Sequence, residues 1–557
     1  MKILLLYPFG THTRIRTEED AAQTPIGLYY LGAVLKEKGY EVEIQNWHTH
    51  SARPEDIAQD LLAFQPDVIG LSVFQANRHG AMGIASIAKK IIPNVKIVFG
   101  GVGATTLWEF FLTQSSNIDT IVLGEGEASF PQLLAEWEKS NPDLENVPGI
   151  SFWKNGKLVR TKMLPPVILN ELPDPANYYA FSYVVSSRGC PGGCRFCGSP
   201  ELGGRKVRSH SADNFVTHLE RLHQKGIRFF YISDDTFTLD KNRVIEICKE
   251  ILRRSIAIEW ATISRVDCVD METLTWMRKA GCIQISYGVE SADPAIRKWL
   301  GKKISGPDIQ RAFDMSISVG ILPRAYIIYG TWGETPDTAE ITLQRLAEWK
   351  PLAAIFYMLE IFPGTRLYEE FLENTNASNE IWKDDIESIA WAEANNGPIQ
   401  SVLETGKKLR DGYQKLLPQL VRQLELADAE DLKPYQADFL SRLAITFSHG
   451  EYAHTDDARE TAGYLLNRSF TIYPNARTFW GKGLLAFENR QLKEAIEIFQ
   501  EGLQLFPEDA LTHIYMGYAL LAHGKAGEAL SHFEKYPTHP DAQRGLNECK
   551  RKLNLPH

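Results

Sequence analysis

The run SRGCPGGCRFC at residues 187–197 decides how this sequence folds and what it binds. It carries three cysteines, Cys190, Cys194 and Cys197, spaced C-x-x-x-C-x-x-C directly after a strand-like stretch. Three thiolates on one loop can bind three corners of an iron–sulfur cube, and a closed four-thiolate site would need a fourth cysteine close by. The sequence has none there, so one iron is left open for a ligand.

A zinc site is the alternative for this cysteine triplet. Zinc motifs usually combine two separated cysteine pairs or add a nearby histidine, and the next histidine here, His210, lies well beyond the run. The other four cysteines, Cys248, Cys268, Cys282 and Cys549, stand alone. An odd total of seven argues for reducing surroundings rather than a disulfide framework.

From residue 183 onward, strand-like runs alternate with long helical patterns. Short β-branched or aromatic runs predict strands, and the apolar 3.6-residue periodicity between them predicts helices. Six β/α units are too few for a closed eight-stranded barrel, so we expect an open, partial (β/α)6 TIM-like barrel over residues 183–400, with its site at the carboxyl ends of the strands. The predicted strands are Tyr183–Ser187, Phe229–Ser233, Glu259–Ser264, Ile283–Gly288, Arg324–Tyr329 and Ala354–Ile361.

Residues 1–140 alternate in the same way and predict a doubly wound, Rossmann-like parallel sheet, so the fold class is α/β. Glycine-rich loops fall at the expected carboxyl ends of its strands, where such sheets bind ligands. The loops are Pro25-Ile26-Gly27, Gly100–Gly103 and Gly124–Glu127, and the strands are Lys2–Tyr7, Glu41–Gln45, Asp67–Val73, Val95–Phe99 and Thr120–Leu123.

Residues 141–182 form a connector rich in Pro, Asn and Asp, with one predicted hairpin at Asn155-Gly156, and residues 401–436 form a helical linker. Residues 437–557 repeat themselves. A shift of 34 positions places Gly483 on Gly517, Ala495 on Ala529 and Phe499 on Phe533.

This helix–turn–helix period resembles the tetratricopeptide repeat, so we expect an all-α solenoid at the carboxyl end of the chain. Such repeats build a concave surface that holds a partner protein or an extended peptide, or they brace a neighbouring domain.

Composition narrows the function further. Sixty basic against seventy acidic side chains give a formal charge of −10, which offers no general electrostatic attraction for nucleic acid. The basic run Arg205-Lys206-Val207-Arg208 is interpreted as a solvated loop or lid. No stretch approaches the roughly 18 unbroken apolar residues of a membrane span, and the apolar start is too short for a signal peptide, so we expect a cytoplasmic protein.

The cysteine run strongly resembles the signature of the radical SAM superfamily, including the aromatic Phe196 before the last cysteine. In that family S-adenosylmethionine chelates the open iron of a [4Fe-4S] cluster and is cleaved to methionine and a 5′-deoxyadenosyl radical. The resemblance continues at the ends of the predicted strands, in 232–237, 262–267 and 287–291. It implies that Phe196, Ser264, Arg265, Gly288, Glu290 and Ser291 contact S-adenosylmethionine.

The N-terminal stretch resembles the cobalamin-binding domain of cobalamin-dependent radical SAM enzymes, through Thr24–Leu28, Phe99–Thr105 and Gly124–Glu127. The D-x-H-x-x-G motif that supplies a cobalt-ligating histidine in other cobalamin enzymes is absent around His12. The resemblance implies cobalamin contacts from Pro25, Gly27, Ser72, Gly100, Gly101, Gly103, Gly124, Glu125, Gly126 and Glu127.

The first interpretation is therefore a cobalamin-dependent radical SAM methyltransferase that methylates an unactivated carbon of a small-molecule or peptide-like substrate. An alternative keeps the radical chemistry for cyclisation, oxidation or rearrangement, with the cobalamin domain redox-active or empty. A second alternative is a repeat-based binding protein with a vestigial core, against which the intact cysteine triplet argues. A radical SAM enzyme also implies a one-electron donor such as flavodoxin or ferredoxin, whereas neither catalytic side chains nor the substrate can be identified from the sequence.

Overall fold

A computed structural model describes residues 1–10, 23–50, 53–384, 386, 388–394 and 399–555. The first part of the chain forms a seven-stranded sheet with helices on both faces. Its strands are β1 (Lys2–Tyr7), β2 (Glu41–Asn46), β3 (Val68–Ser72), β4 (Lys96–Gly100), β5 (Thr120–Val122), β6 (Ile150–Lys154) and β7 (Lys157–Arg160). Its helices are α1 (Ile26–Glu37), α2 (Pro54–Phe64), α3 (Arg78–Ile91), α4 (Val102–Thr106), α5 (Trp108–Gln114) and α6 (Gly126–Trp137).

The strand order is β2-β1-β3-β4-β5-β6-β7, and the first five strands pair in parallel. Strand β3 reads VIGLS and is buried along its whole length, as expected for a central strand covered on both faces. All five strands predicted before residue 140 are confirmed to within one or two residues at each end.

The hairpin predicted at Asn155-Gly156 is also confirmed. It joins β6 to β7, and both turn residues have left-handed backbone conformations, with φ of +50° and +73°. Strand β6 pairs antiparallel with β5, so the sheet continues past residue 140 into the connector.

The second sheet has six strands in the order β15-β14-β13-β12-β11-β8, all of them parallel. The strands of this part of the chain are β8 (Tyr183–Val184), β9 (Ser187–Arg188), β10 (Arg208–Ser209), β11 (Phe229–Ile232), β12 (Glu259–Ser264), β13 (Cys282–Glu290), β14 (Leu322–Tyr329), β15 (Ala353–Met358), β16 (Glu360–Ile361) and β17 (Ile389–Ala390). The helices are α7 (Ser199–Gly203), α8 (Ala212–Gln224), α9 (Lys241–Arg253), α10 (Met271–Lys279), α11 (Pro294–Trp299), α12 (Gly306–Val319), α13 (Thr338–Trp349), α14 (Arg366–Thr375), α15 (Trp391–Ala394) and α16 (Ile399–Arg422).

Two predicted strands are each divided in two. The run Tyr183–Ser187 separates into β8 and β9, because Asp234 holds the chain between them. The buried carboxylate of Asp234 accepts hydrogen bonds from the backbone N–H and hydroxyl of Ser186 and from the hydroxyl of Ser187, each at 2.6 Å. The run Ala354–Ile361 separates into β15 and β16, and β16 pairs with β17 instead of extending the main sheet.

Helices make up the rest of the chain. They are α17 (Lys433–His449), α18 (Ala458–Ile472), α19 (Ala476–Glu488), α20 (Leu492–Leu505), α21 (Ala510–Ala522), α22 (Ala526–Glu534) and α23 (Pro540–Leu553). These helices belong to two different hydrophobic cores. Apolar side chains of α17 and α18 share one continuous core with the six-stranded sheet, whereas those of α20–α23 form a core of their own, and α19 packs against both.

No described helix is both long enough and apolar enough to cross a membrane.

Candidate functional site

The three cysteines lie on the loop between β9 and α7, and all three are partly exposed. The backbone N–H of Gly192 donates to Sγ of Cys190 at 3.4 Å, and the N–H of Cys197 donates to the carbonyl oxygen of Cys194 at 3.4 Å. Burial raises the pKa of the Cys194 thiol. A bound metal would therefore have to displace a proton from this sulfur.

Two glycines allow the loop to pack against neighbouring backbone. Gly189 has φ +98°, and a Cβ there would lie 2.7 Å from the carbonyl oxygen of Lys206. Gly301 has φ +83°, and its Cβ would lie 2.5 Å from the carbonyl oxygen of Gly193. A side chain at either position would collide with backbone in a conformation that already favours glycine.

Arg195, between the second and third cysteines, holds the loop from the other side. Its N–H donates to the carbonyl oxygen of Leu300 and its own carbonyl accepts from Leu367, both at 3.1 Å. Its guanidinium forms an ion pair with Glu370 and lies over the ring of Trp299, 4.6 Å from the ring centroid. The cysteine loop is thus held by both backbone and side-chain contacts.

At the carboxyl end of β13, two opposite charges are buried together. Oε1 of Glu290 lies 2.9 Å from Nζ of Lys302, and each side chain is under a tenth exposed. The ammonium also donates to the carbonyl oxygen of Gly288 at 3.0 Å. Glu290 has φ +68° at a register shift of the strand, an uncommon conformation for a residue with a Cβ. A Cβ at Gly288 would lie 2.5 Å from the Glu290 carboxylate, so the glycine makes room for the pair.

Two further predicted residues at the end of β12 already have protein partners. The buried Ser264 hydroxyl hydrogen-bonds the Thr238 hydroxyl. Arg265 donates two hydrogen bonds to Asp267, at 2.9 and 2.7 Å, and the carboxylate holds the pKa of the guanidinium above its usual value. A ligand carboxylate would have to share Arg265 with Asp267.

The remaining two predicted residues lie on either side of this region. Ser291 is buried, and its hydroxyl accepts from the N–H of Asp293 at 3.2 Å. Phe196 is half-buried against an apolar cluster that includes residues of the first sheet.

A cavity of about 430 Å³ lies at the carboxyl ends of β1, β3, β4 and β5. Its floor is apolar and includes Leu5, Val98 and Phe130. Nine of the ten predicted cobalamin-binding residues line it: Pro25, Gly27, Ser72, Gly100, Gly101, Gly124, Glu125, Gly126 and Glu127. The tenth, Gly103, packs beneath the rim, where a Cβ would lie 2.7 Å from Cα of Phe74. Residues of the cysteine-bearing domain form the opposite wall: Val185, Ser187, Arg188, Gly189, Ser199, Leu202, Gly203, Ser233 and Asp235.

Two glycines of the rim have left-handed backbone conformations. Gly101 has φ +92°, and a Cβ there would lie 3.2 Å from the carbonyl oxygen of Val73. Gly124 has φ +70°, and its N–H donates to Oγ1 of Thr105 at 3.0 Å. Bare backbone is therefore presented to the cavity at both places.

The carboxylates of Glu125 and Glu127 join the two domains. Arg188 bonds Glu125 at 3.1 Å and Glu127 at 2.8 Å, and Arg208 donates to both oxygens of Glu125, at 2.9 and 2.8 Å. Burial opposes the charge of Arg188, but Glu127 and Glu125 outweigh it and hold its pKa above the usual value. Arg208 is therefore part of a domain contact and not of a solvated loop, whereas Arg205 and Lys206 are exposed as predicted.

The donor set fits the implied groups. Three soft thiols on one backbone-held loop suit an iron–sulfur cluster with one open iron. Among the described residues, no three His, Cys, Asp or Glu side chains, the three cysteines of the loop included, already stand close enough together to hold one metal ion, so the thiols would have to move together to bind a cluster. The glycine rim and apolar floor suit a large, flat cofactor approached by backbone. His12 lies outside the described residues, and no histidine lines the cavity as far as the structure describes the chain.

Sequence reasoning missed three charged residues of this region, namely Arg188, Arg208 and Lys302. Arg188 stands inside the quoted cysteine run, so its position was visible although its partner was not. The pairing of Lys302 with Glu290 depends on how β13 and α11 meet, which no local pattern reveals. Ser233 and Asp235 line the cavity from the end of β11, where the predicted barrel site implied that polar residues would matter.

A three-cysteine loop at the carboxyl end of one parallel sheet, facing a glycine-lined cavity of another, defines a radical SAM protein with a B12-binding domain. Comparison with known families agrees: residues 20–134 match the B12 binding domain, and residues 184–346 match the radical SAM superfamily.

Among curated proteins, an uncharacterized methyltransferase of Pyrococcus horikoshii is 32% identical over 397 residues, which cover 69% of this chain and 86% of that protein. The anaerobic magnesium-protoporphyrin IX monomethyl ester cyclase of Cereibacter sphaeroides is 28% identical over 391 residues, covering 66% of this chain and 63% of that protein.

Two solved structures share the fold. The methyltransferase TsrM of Kitasatospora setae, with cobalamin and a [4Fe-4S] cluster bound, gives a TM-score of 0.58 at 18% identity and covers 84% of this chain and all of that one. The cobalamin-dependent radical enzyme OxsB, with aqua-cobalamin and S-adenosylmethionine bound, gives 0.56 at 20% identity and covers 99% of this chain and 83% of that one.

The chain belongs to the family of cobalamin-dependent radical SAM methyltransferases. It is a radical SAM enzyme, and the cofactors of this family are a [4Fe-4S] cluster, S-adenosylmethionine and cobalamin.

Proposed function

We propose that this enzyme transfers a methyl group to an unactivated carbon of a small-molecule or peptide-like substrate. The observation that carries the proposal is the shared cavity, whose walls come from the glycine loops of the first sheet and from the strand ends beside the cysteine loop. None of the three cysteines lines the cavity itself, but Gly189 and Ser199, on either side of their loop, do.

When bound, the cluster with S-adenosylmethionine supplies hydrogen abstraction, and cobalamin supplies the methyl group. The chain's own residues bind, orient and exclude water. Cys190, Cys194 and Cys197 would hold the cluster. The buried Glu290 carboxylate, fixed by Lys302, is suited to accept hydrogen bonds from an ammonium or hydroxyl group of S-adenosylmethionine.

The remaining predicted contacts are part of the proposal. For S-adenosylmethionine they are Phe196, Ser264, Arg265, Gly288 and Ser291, and Arg265 would act together with Asp267. For cobalamin they are the cavity-lining glycines with Pro25 and Ser72, which offer backbone and small side chains. Glu125 and Glu127 would contribute through backbone, because Arg188 and Arg208 already occupy their carboxylates.

The methyltransferase of Pyrococcus horikoshii, with the highest identity quoted above, supports methyl transfer. A second candidate is oxidative cyclisation, which the similarity to the Cereibacter sphaeroides cyclase favours. The two activities differ in whether a methyl group reaches the product.

We further propose that the six-stranded sheet is a partial barrel and that α19–α23 form tetratricopeptide repeats. The repeat is supported by two equivalent contacts: a Cβ at Gly483 would lie 2.3 Å from the Phe499 ring, and one at Gly517 would lie 2.7 Å from the Phe533 ring. Three points stay predictions: the domain bounds 1–140, 183–400 and 437–557, a peptide or protein partner for the repeats, and a cytoplasmic location.

The test is anaerobic reconstitution with iron, sulfide and hydroxocobalamin, followed by metal and corrin counts. We expect four irons per chain, an expectation of the cluster type, with bound corrin and release of 5′-deoxyadenosine after reduction. Cys194→Ala should lose both iron and S-adenosylmethionine cleavage. Cys549→Ala, in α23 and outside the loop, is the control and should keep them.

With S-adenosylmethionine labelled in its methyl group, label in the product indicates methyl transfer, and an unlabelled product two hydrogens lighter indicates cyclisation. Protein that takes up no corrin under any condition would contradict the methyltransferase proposal.

A further inference from the structure

The inner face of the six-stranded sheet carries four tyrosines that contact one another. The ring centroids of Tyr183 and Tyr231 lie 5.1 Å apart, and those of Tyr326 and Tyr357 lie 5.7 Å apart. The hydroxyl oxygens of Tyr231 and Tyr326 lie 3.3 Å apart, although β12 and β13 separate their strands in the sheet. Along a flat sheet these two strands would be about 14 Å apart, so the hydroxyls meet across the concave side of a curved sheet.

This tyrosine surface continues the wall of the shared cavity. Ser233 lines the cavity directly after β11, and Tyr231 precedes it by two residues. Because successive side chains of a strand alternate between its faces, Tyr231 and Ser233 share a face, with Tyr231 roughly 7 Å further from the carboxyl end. Tyr357 is 50% exposed, so part of the surface is open to solvent.

One unpaired positive charge lies on the same face. The six strands contain three charged side chains, Glu259, Glu290 and Arg324. Arg442 pairs with the first and Lys302 with the second. Arg324 is partly buried, has no carboxylate partner in the described part of the chain, and its Nε is buried without a hydrogen bond. Since a charge withdrawn from water without a partner is costly, Arg324 is suited to pair with an anion of a ligand.

Hydroxyl groups lie near this guanidinium. Arg324 precedes Tyr326 by two residues on β14, and its partner in the register of β13 is Ser286, so all three side chains share a face. Burial holds the pKa of Tyr231 above its usual value, although Ser286 and Arg324 act against it, so this hydroxyl stays a neutral donor. A guanidinium and three hydroxyls can therefore all donate to one anion.

We propose that this surface binds an aromatic acid as the substrate, through its carboxylate or phosphate group. Arg324 and the hydroxyls of Tyr231 and Tyr326 would hold the anion, and the tyrosine rings would pack on the flat part of the molecule. The inference rests on the proposed function and narrows its substrate. The anion would lie roughly 7–14 Å below the cavity wall, so the reacting carbon must be about that far from the acidic group.

The test uses reconstituted enzyme with S-adenosylmethionine and three probes of one shape: 2-naphthoate, 2-naphthyl phosphate and the neutral 2-naphthamide. Affinity is measured by saturation-transfer NMR titration before any reductant is added, so that it does not depend on turnover. Arg324→Gln removes the charge, Arg324→Lys keeps it, and Tyr326→Phe removes one hydroxyl. Arg345→Gln, at an exposed arginine of α13, is the matched control.

We expect at least one of the two acids to bind about tenfold more tightly than the amide, because hydrogen bonds to a charged group are the stronger ones. Arg324→Gln should remove this preference, Arg324→Lys should keep part of it, and Tyr326→Phe should weaken acid binding severalfold. The control variant and the iron content should stay at the wild-type level. The acid that binds more tightly tells whether the substrate carries a carboxylate or a phosphate.

Equal affinity for the acids and the amide would overturn the proposal, and so would a preference for acids that survives Arg324→Gln. Weaker binding of S-adenosylmethionine to Arg324→Gln would also overturn it, because the guanidinium would then serve the cofactor. These outcomes leave the corrin count and the methyl-label result untouched. An enzyme that takes up no corrin but still prefers the acids through Arg324 would contradict the proposed function alone.

Discussion

Removing the carboxyl-terminal helices at two different places should separate bracing from recruitment. A chain that ends at Tyr473 keeps α17 and α18, whereas one that ends at Glu425 loses them. Six large side chains of these two helices are buried in the core of the six-stranded sheet, namely Phe439, Leu440, Leu443, Phe447, Leu465 and Leu466. Each such side chain contributes about 1.5–3 kcal/mol when fully buried.

If half of the burial of these six side chains is against the remaining core, the free energy of unfolding of the shorter chain falls by roughly 5–9 kcal/mol. This loss is as large as the net stability of a typical domain. A polar contribution adds to this loss. Arg278 is 3% exposed, and α17 supplies its partners: the Asp438 carboxylate at 2.6 Å and the Tyr435 carbonyl at 2.8 Å. A buried charge left without its partner costs about 3–5 kcal/mol.

The assay is soluble yield, thermal unfolding and iron content of the two truncated proteins. We expect the chain ending at Tyr473 to fold, bind the cluster and cleave S-adenosylmethionine, because α20–α23 have their own core and the chain loses only the contacts of α19 with α17 and α18, among them the Arg477–Asp438 ion pair. The chain ending at Glu425 should be insoluble or free of cluster. A soluble, cluster-loaded protein ending at Glu425 would refute the argument and would make all of the tail a separable module.

Two smaller changes test the site, and a third tests a carboxylate of the connector. Gly101→Leu should lower bound corrin severalfold by absorbance, because φ is +92° and the backbone faces the cavity, while Gly83→Ala, in α3 and outside the cavity lining, meets nothing within 4 Å and should keep it. Lys302→Ala should destabilise the enzyme by about 3–5 kcal/mol in denaturant unfolding and weaken S-adenosylmethionine binding, since Glu290 is left buried and unpaired; a loss under 1 kcal/mol would contradict this. Asp174 lies in the connector, where burial raises its pKa but hydrogen bonds from His218 at 2.6 Å and Arg221 at 2.5 Å outweigh burial and lower it to about 2 from 3.8. Its stabilisation is therefore complete above about pH 4 and is lost as the pH falls through about 2, and Asp174→Asn should flatten this part of the unfolding profile.

Local patterns were enough for the cysteine loop and for most strands. The cluster site could be predicted because its three ligands lie within eight residues, from Cys190 to Cys197, so that their spacing in sequence determines how they can meet in space. The central strands of the first sheet can be predicted because buried parallel strands are continuous apolar runs, whereas the edge strand β2 reads EVEIQN and alternates. The division of the run Tyr183–Ser187 into two strands could not be predicted, because it depends on Asp234, about fifty residues away in sequence.

The domain contacts were beyond local reasoning for the same reason. No residue near Glu125 in sequence indicates that its carboxylate forms ion pairs with Arg188 and Arg208. Likewise the 34-residue period identifies repeated helices but does not reveal that α17 and α18 pack on the sheet while later helices pack on each other. Both facts depend on which surfaces meet, and only the folded chain supplies them.

Arg188 links the two halves of the site. It lies two residues before the first cysteine of the loop, lines the cavity, and pairs with both acidic residues of the glycine loop after β5. Any shift of that glycine loop must therefore move Arg188 or break a buried ion pair. Breaking it is costly, because each of the three side chains is at most 15% exposed. Arg188 thus ties the residues that lead into the cysteine loop to the glycine loop that lines the cavity through two buried ion pairs.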